Sequence, residues 1–130
     1  MFGIIGGTGL YKLDGFSVTD TKNIETPFGS PSGPIAVGTL AGREIAFLAR
    51  HGTQHEILPS EVNYRANVWA LKSAGVRTIL GISAVGSLAM EIKPGDFAIP
   101  YQYLDFTKGK RAHTFFGDGV VAHISTAEPI

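Results

Sequence analysis

Residues 3–10 read GIIGGTGL, an apolar run that stops in three glycines out of four residues around a single hydroxyl, Thr8. No other stretch narrows so far what the chain can fold into. Glycine has no side chain to pack and loses more backbone freedom on folding than other residues. Gly6, Gly7 and Gly9 therefore imply that something needs bare backbone at this point. The short β-branched run Phe2–Ile5 ahead of them predicts a buried strand running into a tight turn. Glycines after a strand commonly let backbone N–H groups approach an anion. Two familiar versions fail here. The dinucleotide pattern G-x-G-x-x-G, started at Gly7, reaches Lys12 in place of its third glycine, and no Gly-Lys-Ser/Thr occurs for a triphosphate loop. Taken alone, the turn is either an anion site of unidentified class or a structural turn.

The rest of the chain predicts α/β organisation. Residues 25–34, ETPFGSPSGP, are too rich in Pro, Gly and Ser for a regular element and predict a loop, either a flap near the site or a rigid surface turn. Ile35–Thr39 and Glu44–Ala49 predict a hairpin across Ala41-Gly42. Pro59-Ser60-Glu61 predicts a helix start with Ser60 as N-cap, Val62, Ala66, Trp69 and Ala70 recur at helical spacing, and Gly75 is the stop. Arg77–Ile82 predicts another strand, with Asp96–Ile99 and Tyr103–Phe106 as two more. Trp69 and the phenylalanines are expected in the core. Strands mixed with helices, and small residues at strand ends, predict an α/β fold: a twisted mixed β-sheet flanked by helices.

Two further strand ends carry chemistry. In LARHG, Arg50 and His51 follow the apolar run Ile45–Ala49 directly. Arginine supplies a planar fork of donors suited to phosphate oxygens, and a neighbouring histidine can add one more. The alternative pairs Arg50 with a surface carboxylate and leaves His51 capping a strand. Ser83-Ala84, with Gly86 following, again sets a hydroxyl and backbone amides at a strand end, or else forms an ordinary small-residue turn. Three such sites on three strands can converge on one crevice at the carboxyl edge of a sheet, which favours the anion reading.

Composition removes several classes. Eleven Lys and Arg balance eleven Asp and Glu, so no net positive field points to nucleic acid or an anionic membrane. There is no cysteine, hence no disulfide, thiolate metal site or Cys nucleophile, in keeping with a reducing cytosol. Four scattered histidines share no metal-ligand spacing on a helix face, so no metal is expected. No basic leader precedes a long apolar stretch, and no run is long enough to span a membrane. A soluble cytoplasmic protein is expected.

Taken in order, GIIGGTGL, ETPFGSPSGP, FLARHG, HEILPSEVNYRANVWALKSAGV, SAVGSL, KPGDF and AHISTAEP closely resemble the methylthioadenosine and methylthioinosine phosphorylases of the purine nucleoside phosphorylase family. The resemblance covers essentially the whole chain. It implies that Thr8, Arg50, His51, Ser83 and Ala84 bind inorganic phosphate, a co-substrate, and that no metal or organic cofactor is needed. It also implies the reaction: phosphate attacks the anomeric carbon of a purine nucleoside, releasing the purine and a ribose 1-phosphate. Asn63 and His55 are implied near the substrate, and His123 is implied to reach a neighbouring subunit's site in a homotrimer. The resembled enzymes are much longer chains, so residues 1–130 are expected to be the N-terminal portion of one phosphorylase domain, with an incomplete sheet. The residues that contact the purine, and those that set adenine against 6-oxopurine preference, are expected beyond Ile130, and the 130 residues alone should have little phosphorolytic activity. Two other readings stand beside this one: a non-catalytic phosphate- or nucleotide-binding module, and a hydrolytic nucleosidase relative.

Overall fold

The computed structural model describes residues 1–7, 10, 12–107, 109 and 111–127. The elements run β1 (Phe2–Gly6), β2 (Ser17–Lys22), β3 (Ile35–Leu40), β4 (Arg43–Ala49), α1 (Tyr64–Ser73) and β5 (Thr78–Ile82). They form a five-stranded sheet in the order β2-β3-β4-β1-β5. β1 lies parallel between β4 and β5, whereas β3 is antiparallel to both β2 and β4. The sheet is mixed, as the sequence predicts.

Alternation along the strands divides the core in two. On one face Ile5, Ile35, Val37, Ala46 and Leu48 pack against Ala70, Leu71 and Ala74 of the helical segment and against Val76. On the other, Ile4, Ile45, Phe47 and Ala49 pack under Leu10, Leu13 and Phe16 from the chain between β1 and β2. With both faces covered, β1 and β4 read as nearly unbroken apolar runs instead of alternating ones.

Helix α1 begins three residues later than expected. The segment around Ser60 closes a turn of its own, in which the Glu61 amide donates to the Leu58 carbonyl at 2.9 Å and the Glu61 carboxylate accepts from the Leu58 amide at 3.1 Å. Asn63, not Ser60, is the N-cap, its Oδ1 accepting from the Ala66 amide at 3.1 Å. The other end matches the expectation. Gly75 takes φ +96°, its amide donates to the Lys72 carbonyl, and the Val76 amide donates to that of Leu71, both at 3.0 Å. This double closure needs a left-handed residue, hence glycine.

One strand is added and two expectations are corrected. β2, SVTDTK, is an edge strand with no apolar alternation to reveal it, held by pairing with β3. Asp96–Ile99 and Tyr103–Phe106 form no strands, because extended segments are stable only when paired and these find no partner among the described residues. Trp69 is 40 % exposed and meets the Phe28 ring edge-on at 5.6 Å, and of the phenylalanines only Phe47 is buried. Among the described residues α1 is the one α-helix, and no helix is long and apolar enough to cross a membrane.

Candidate functional site

The parallel register brings three strand ends level. Gly6 at the end of β1 is paired with Ala49 of β4 on one side and Ile82 of β5 on the other. Whatever follows each strand therefore emerges on the same edge. Gly7, Arg50 and Ser83 are the next residues, and this carboxyl edge is where open α/β sheets hold ligands.

Arg50 is the centre of this edge. Its amide donates to the Gly6 carbonyl at 2.9 Å, continuing the sheet by one bond and fixing where its side chain starts. The guanidinium is held at two places. Nη1 donates to Ser83 Oγ at 2.7 Å and approaches the Ile82 carbonyl at 3.5 Å, while Nε donates to His51 Nε2 at 3.2 Å. Nη2 stands over Gly7, only 3.3 Å from where a Cβ would be. The bare backbone asked for by the sequence is thus used, at Gly7, by close approach of a cation. Among the described residues no carboxylate pairs with Arg50. A half-buried cation without an anion lacks its electrostatic complement, and a fork held on two sides is ready to supply donors to one.

His51 is buried, and its ring is fixed by the loop that follows. Nδ1 lies 2.9 Å from the Ile57 carbonyl, and the Ile57 amide donates to the His51 carbonyl at 3.0 Å. His55, in the left-handed region at φ +61°, sets its ring edge-on to that of His51 at 5.1 Å. Ala84 follows Ser83 on the same edge and is exposed. Thr8 lies outside the described residues.

Asn63 has a different attachment. Besides capping α1 it donates to the Phe28 carbonyl at 2.6 Å. One turn on, buried Asn67 accepts from the Ser32 amide at 2.7 Å and donates to Ser32 Oγ at 2.9 Å. Two helix asparagines thus pin the 25–34 loop to α1 at two points, which favours the rigid turn over the flap. Arg65 lies over the Phe28 ring at 5.0 Å and donates to the Thr114 carbonyl at 3.3 Å. His123 is exposed in a stretch without regular structure and takes no part in the hydrogen bonds around Arg50. Asp105, whose carboxyl is held below the ordinary range by hydrogen bonds from the Thr107 hydroxyl and amide, is likewise outside them. No group of three or more His, Asp or Glu among the described residues is placed to hold a metal ion.

The sequence points to Arg50, His51 and Ser83 together, and the structure brings these three into contact. It leaves out the Ile57 and Ile82 carbonyls, since backbone acceptors have no side-chain signature. Ser32 and Asn67 are also missed as partners, because their link spans 35 residues.

Comparison with known proteins identifies the family. The chain is 52% identical over 128 residues to an S-methyl-5'-thioadenosine phosphorylase from Koribacter versatilis, covering 98% of this chain and 44% of that protein. A methylthioadenosine phosphorylase from an Antarctic soil metagenomic library superposes with a TM-score of 0.89 at 53% identity, covering 99% of this chain and 45% of the other. The methylthioadenosine phosphorylase of Schistosoma mansoni, solved with tubercidin, gives 0.90 at 44% identity, with 98% and 47% covered. The chain spans under half the length of each. A family model described as the phosphorylase superfamily matches residues 1–130. That match runs the whole length of the given sequence and the fold superposes on solved members, and the chain belongs to the phosphorylase superfamily.

Proposed function

We propose that the intact protein catalyses phosphorolysis of a purine 5'-methylthionucleoside, with S-methyl-5'-thioadenosine the leading substrate, and that residues 1–130 supply the phosphate side of the site. One observation carries this reading: Arg50 stands at the level ends of three parallel strands, held by Ser83 and His51, over a bare Gly7 and, among the described residues, with no carboxylate beside it. The names of the relatives supply the nucleoside.

In the proposed reaction a phosphate oxygen forms a bond to the anomeric carbon as the glycosidic C–N bond breaks. The bonding pair leaves with the purine, which takes up a proton, and 5-methylthioribose 1-phosphate remains. The bond breaks through a state in which the sugar carries positive charge. A dianion fixed by Arg50 and exposed amides is placed to stabilise that charge and then to bond with it. The chemistry asks for no metal or organic cofactor. The proposal extends to a cytoplasmic homotrimer in which His123 completes a neighbouring site; an active monomer on sedimentation would overturn that extension.

Adenine release from methylthioadenosine tests the reading. With the intact protein the rate should rise with phosphate concentration to a plateau, and should be negligible in phosphate-free buffer. Release that ignores phosphate would make the protein a hydrolase; no release, with phosphate still bound, would leave a binding module.

A further inference from the structure

We propose that the cavity between residues 60–65 and residues 111–112 binds a small monocarboxylate, held between Arg65 and Arg111. The cavity shares no residue with the edge around Arg50, so this site stands whether or not that edge takes phosphate.

The two arginines form a reciprocal clasp. Arg65, on α1, donates from Nη1 to the Thr114 carbonyl at 3.3 Å and lies over the Phe28 ring at 5.0 Å. Arg111 reaches back. Its Nη1 donates to the Pro59 carbonyl at 2.9 Å, and its guanidinium lies over the Tyr64 ring at 4.4 Å. Both line one cavity of about 230 Å³, together with Ser60, Glu61 and Asn63. Sites for drug-sized ligands run to roughly 300–1,000 Å³, so a small ion is the fitting occupant. Gripped by both arginines, it would tie residues 111–116 to α1, since each arginine already bonds across.

Donors are in surplus here. A guanidinium carries five N–H groups, and each arginine spends one on a carbonyl. Arg65 Nε is the only buried side-chain nitrogen or oxygen among the described residues without a hydrogen-bond partner. A buried donor left unpaired on a cation is costly, and an acceptor from solution removes the cost. Nearby acids do not supply it. Glu61 shares the wall, but its carboxylate accepts from the Leu58 amide at 3.1 Å. Asp105, held below the ordinary carboxyl range mainly by hydrogen bonds from Thr107, also feels the Arg111 charge, yet the hydrogen bonds it accepts come from Thr107. Among the described residues neither arginine has an ion-pair partner. The charge count selects the class of anion. Two arginines and one glutamate on the wall leave a single formal positive charge, which a monoanion balances and a dianion oversteps. A carboxylate is such an anion, and its two oxygens match the fork of a guanidinium.

Fluorine NMR of trifluoroacetate, a monocarboxylate whose line broadens on weak binding, tests this on the intact protein. The unsubstituted protein should broaden the line, and added acetate should reverse the effect. Arg111→Gln should weaken the binding on the order of tenfold, the scale of one hydrogen bond between charged groups. Arg111→Lys, which keeps the charge and loses the fork, should weaken it less. Arg50→Ala should leave it within about twofold. Binding unchanged in Arg111→Gln, or lost in Arg50→Ala, would overturn the proposal. A crystal structure of the unsubstituted intact protein grown with acetate gives a check that needs no variant to fold. It should show a planar carboxylate bonded to both Arg65 and Arg111. An empty cavity, a tetrahedral phosphate there, or a side-chain carboxylate of the intact protein or of a neighbouring copy filling it would each overturn the proposal.

Discussion

Replacing Arg50 with alanine is expected to weaken phosphate binding by the intact protein about 10- to 150-fold, the range of 1.5–3 kcal/mol for a hydrogen-bonded charge. The size follows from the environment. The guanidinium is half-buried, held by Ser83 and His51, and stands over Gly7 with no carboxylate among the described residues to neutralise it. Alanine removes the positive charge together with the donors the strand ends hold in place, while the backbone amide that bonds Gly6 remains. Folding should therefore survive. Titration calorimetry with inorganic phosphate reads the change, with circular dichroism as the check on folding. An affinity within twofold of the unsubstituted protein would return Arg50 to an ordinary surface role.

The second large effect is on stability. Gly38→Ala should lower the unfolding free energy by about 2 kcal/mol or more, within the range for overpacking a filled site. Gly38 lies in the middle of β3, opposite Val18 of β2 and Ile45 of β4. An added methyl would overlap the Ser17 carbonyl oxygen and meet Phe16 Cε2 at 2.9 Å. The first of these neighbours is backbone, so relief requires β2 to shift along its length, and with it the packing of Phe16 beneath the sheet. Gly33→Ala is the matched control. Its methyl would meet only Thr53 Cγ2, at 3.8 Å, and its backbone is not in the left-handed region. Urea denaturation of the pair should show a clearly lower midpoint for Gly38→Ala and little change for Gly33→Ala. Equal midpoints would mean that the β2–β3 approach relaxes at little cost.

The sequence made the centre of the fold readable and the margins obscure, for physical reasons. β1 and β4 are buried on both faces, so their apolar runs survive as a signal, and the Ala41-Gly42 turn between β3 and β4 marks itself with a left-handed pair. Helix α1 was visible from Ala66 and Ala70, which face the core, and from Gly75. Its true cap was not, since Ser60 offers the same side-chain chemistry as Asn63 and only the Leu58–Glu61 turn decides between them. β2 is polar at an edge and depends on a partner that no local pattern reveals. The opposite error arose at Asp96–Ile99 and Tyr103–Phe106, where β-forming residues lie exposed and unpaired. Trp69 misled because its helical spacing matches that of Ala66 while its ring lies against Phe28 at the surface.

The candidate site divides along the same line. Side chains set at the ends of apolar strands could be expected to converge, and Arg50 and Ser83 do so at 2.7 Å. What orients them is backbone: the Gly6 carbonyl that fixes Arg50, the Ile82 carbonyl beside its Nη1, and the Ile57 carbonyl that sets the His51 ring. Residue identity does not encode those positions. They follow from strand register and from a loop that closes on itself.

A crystal structure of the intact protein grown with inorganic phosphate tests the central claim most directly. The account predicts one tetrahedral anion at the carboxyl edge of β4, β1 and β5, with Arg50 Nη2 within about 3 Å of a phosphate oxygen and with the Gly6–Gly7 and Ser83–Ala84 segments around it. An anion bound elsewhere, with Arg50 turned away to solvent or to a carboxylate, would contradict the account.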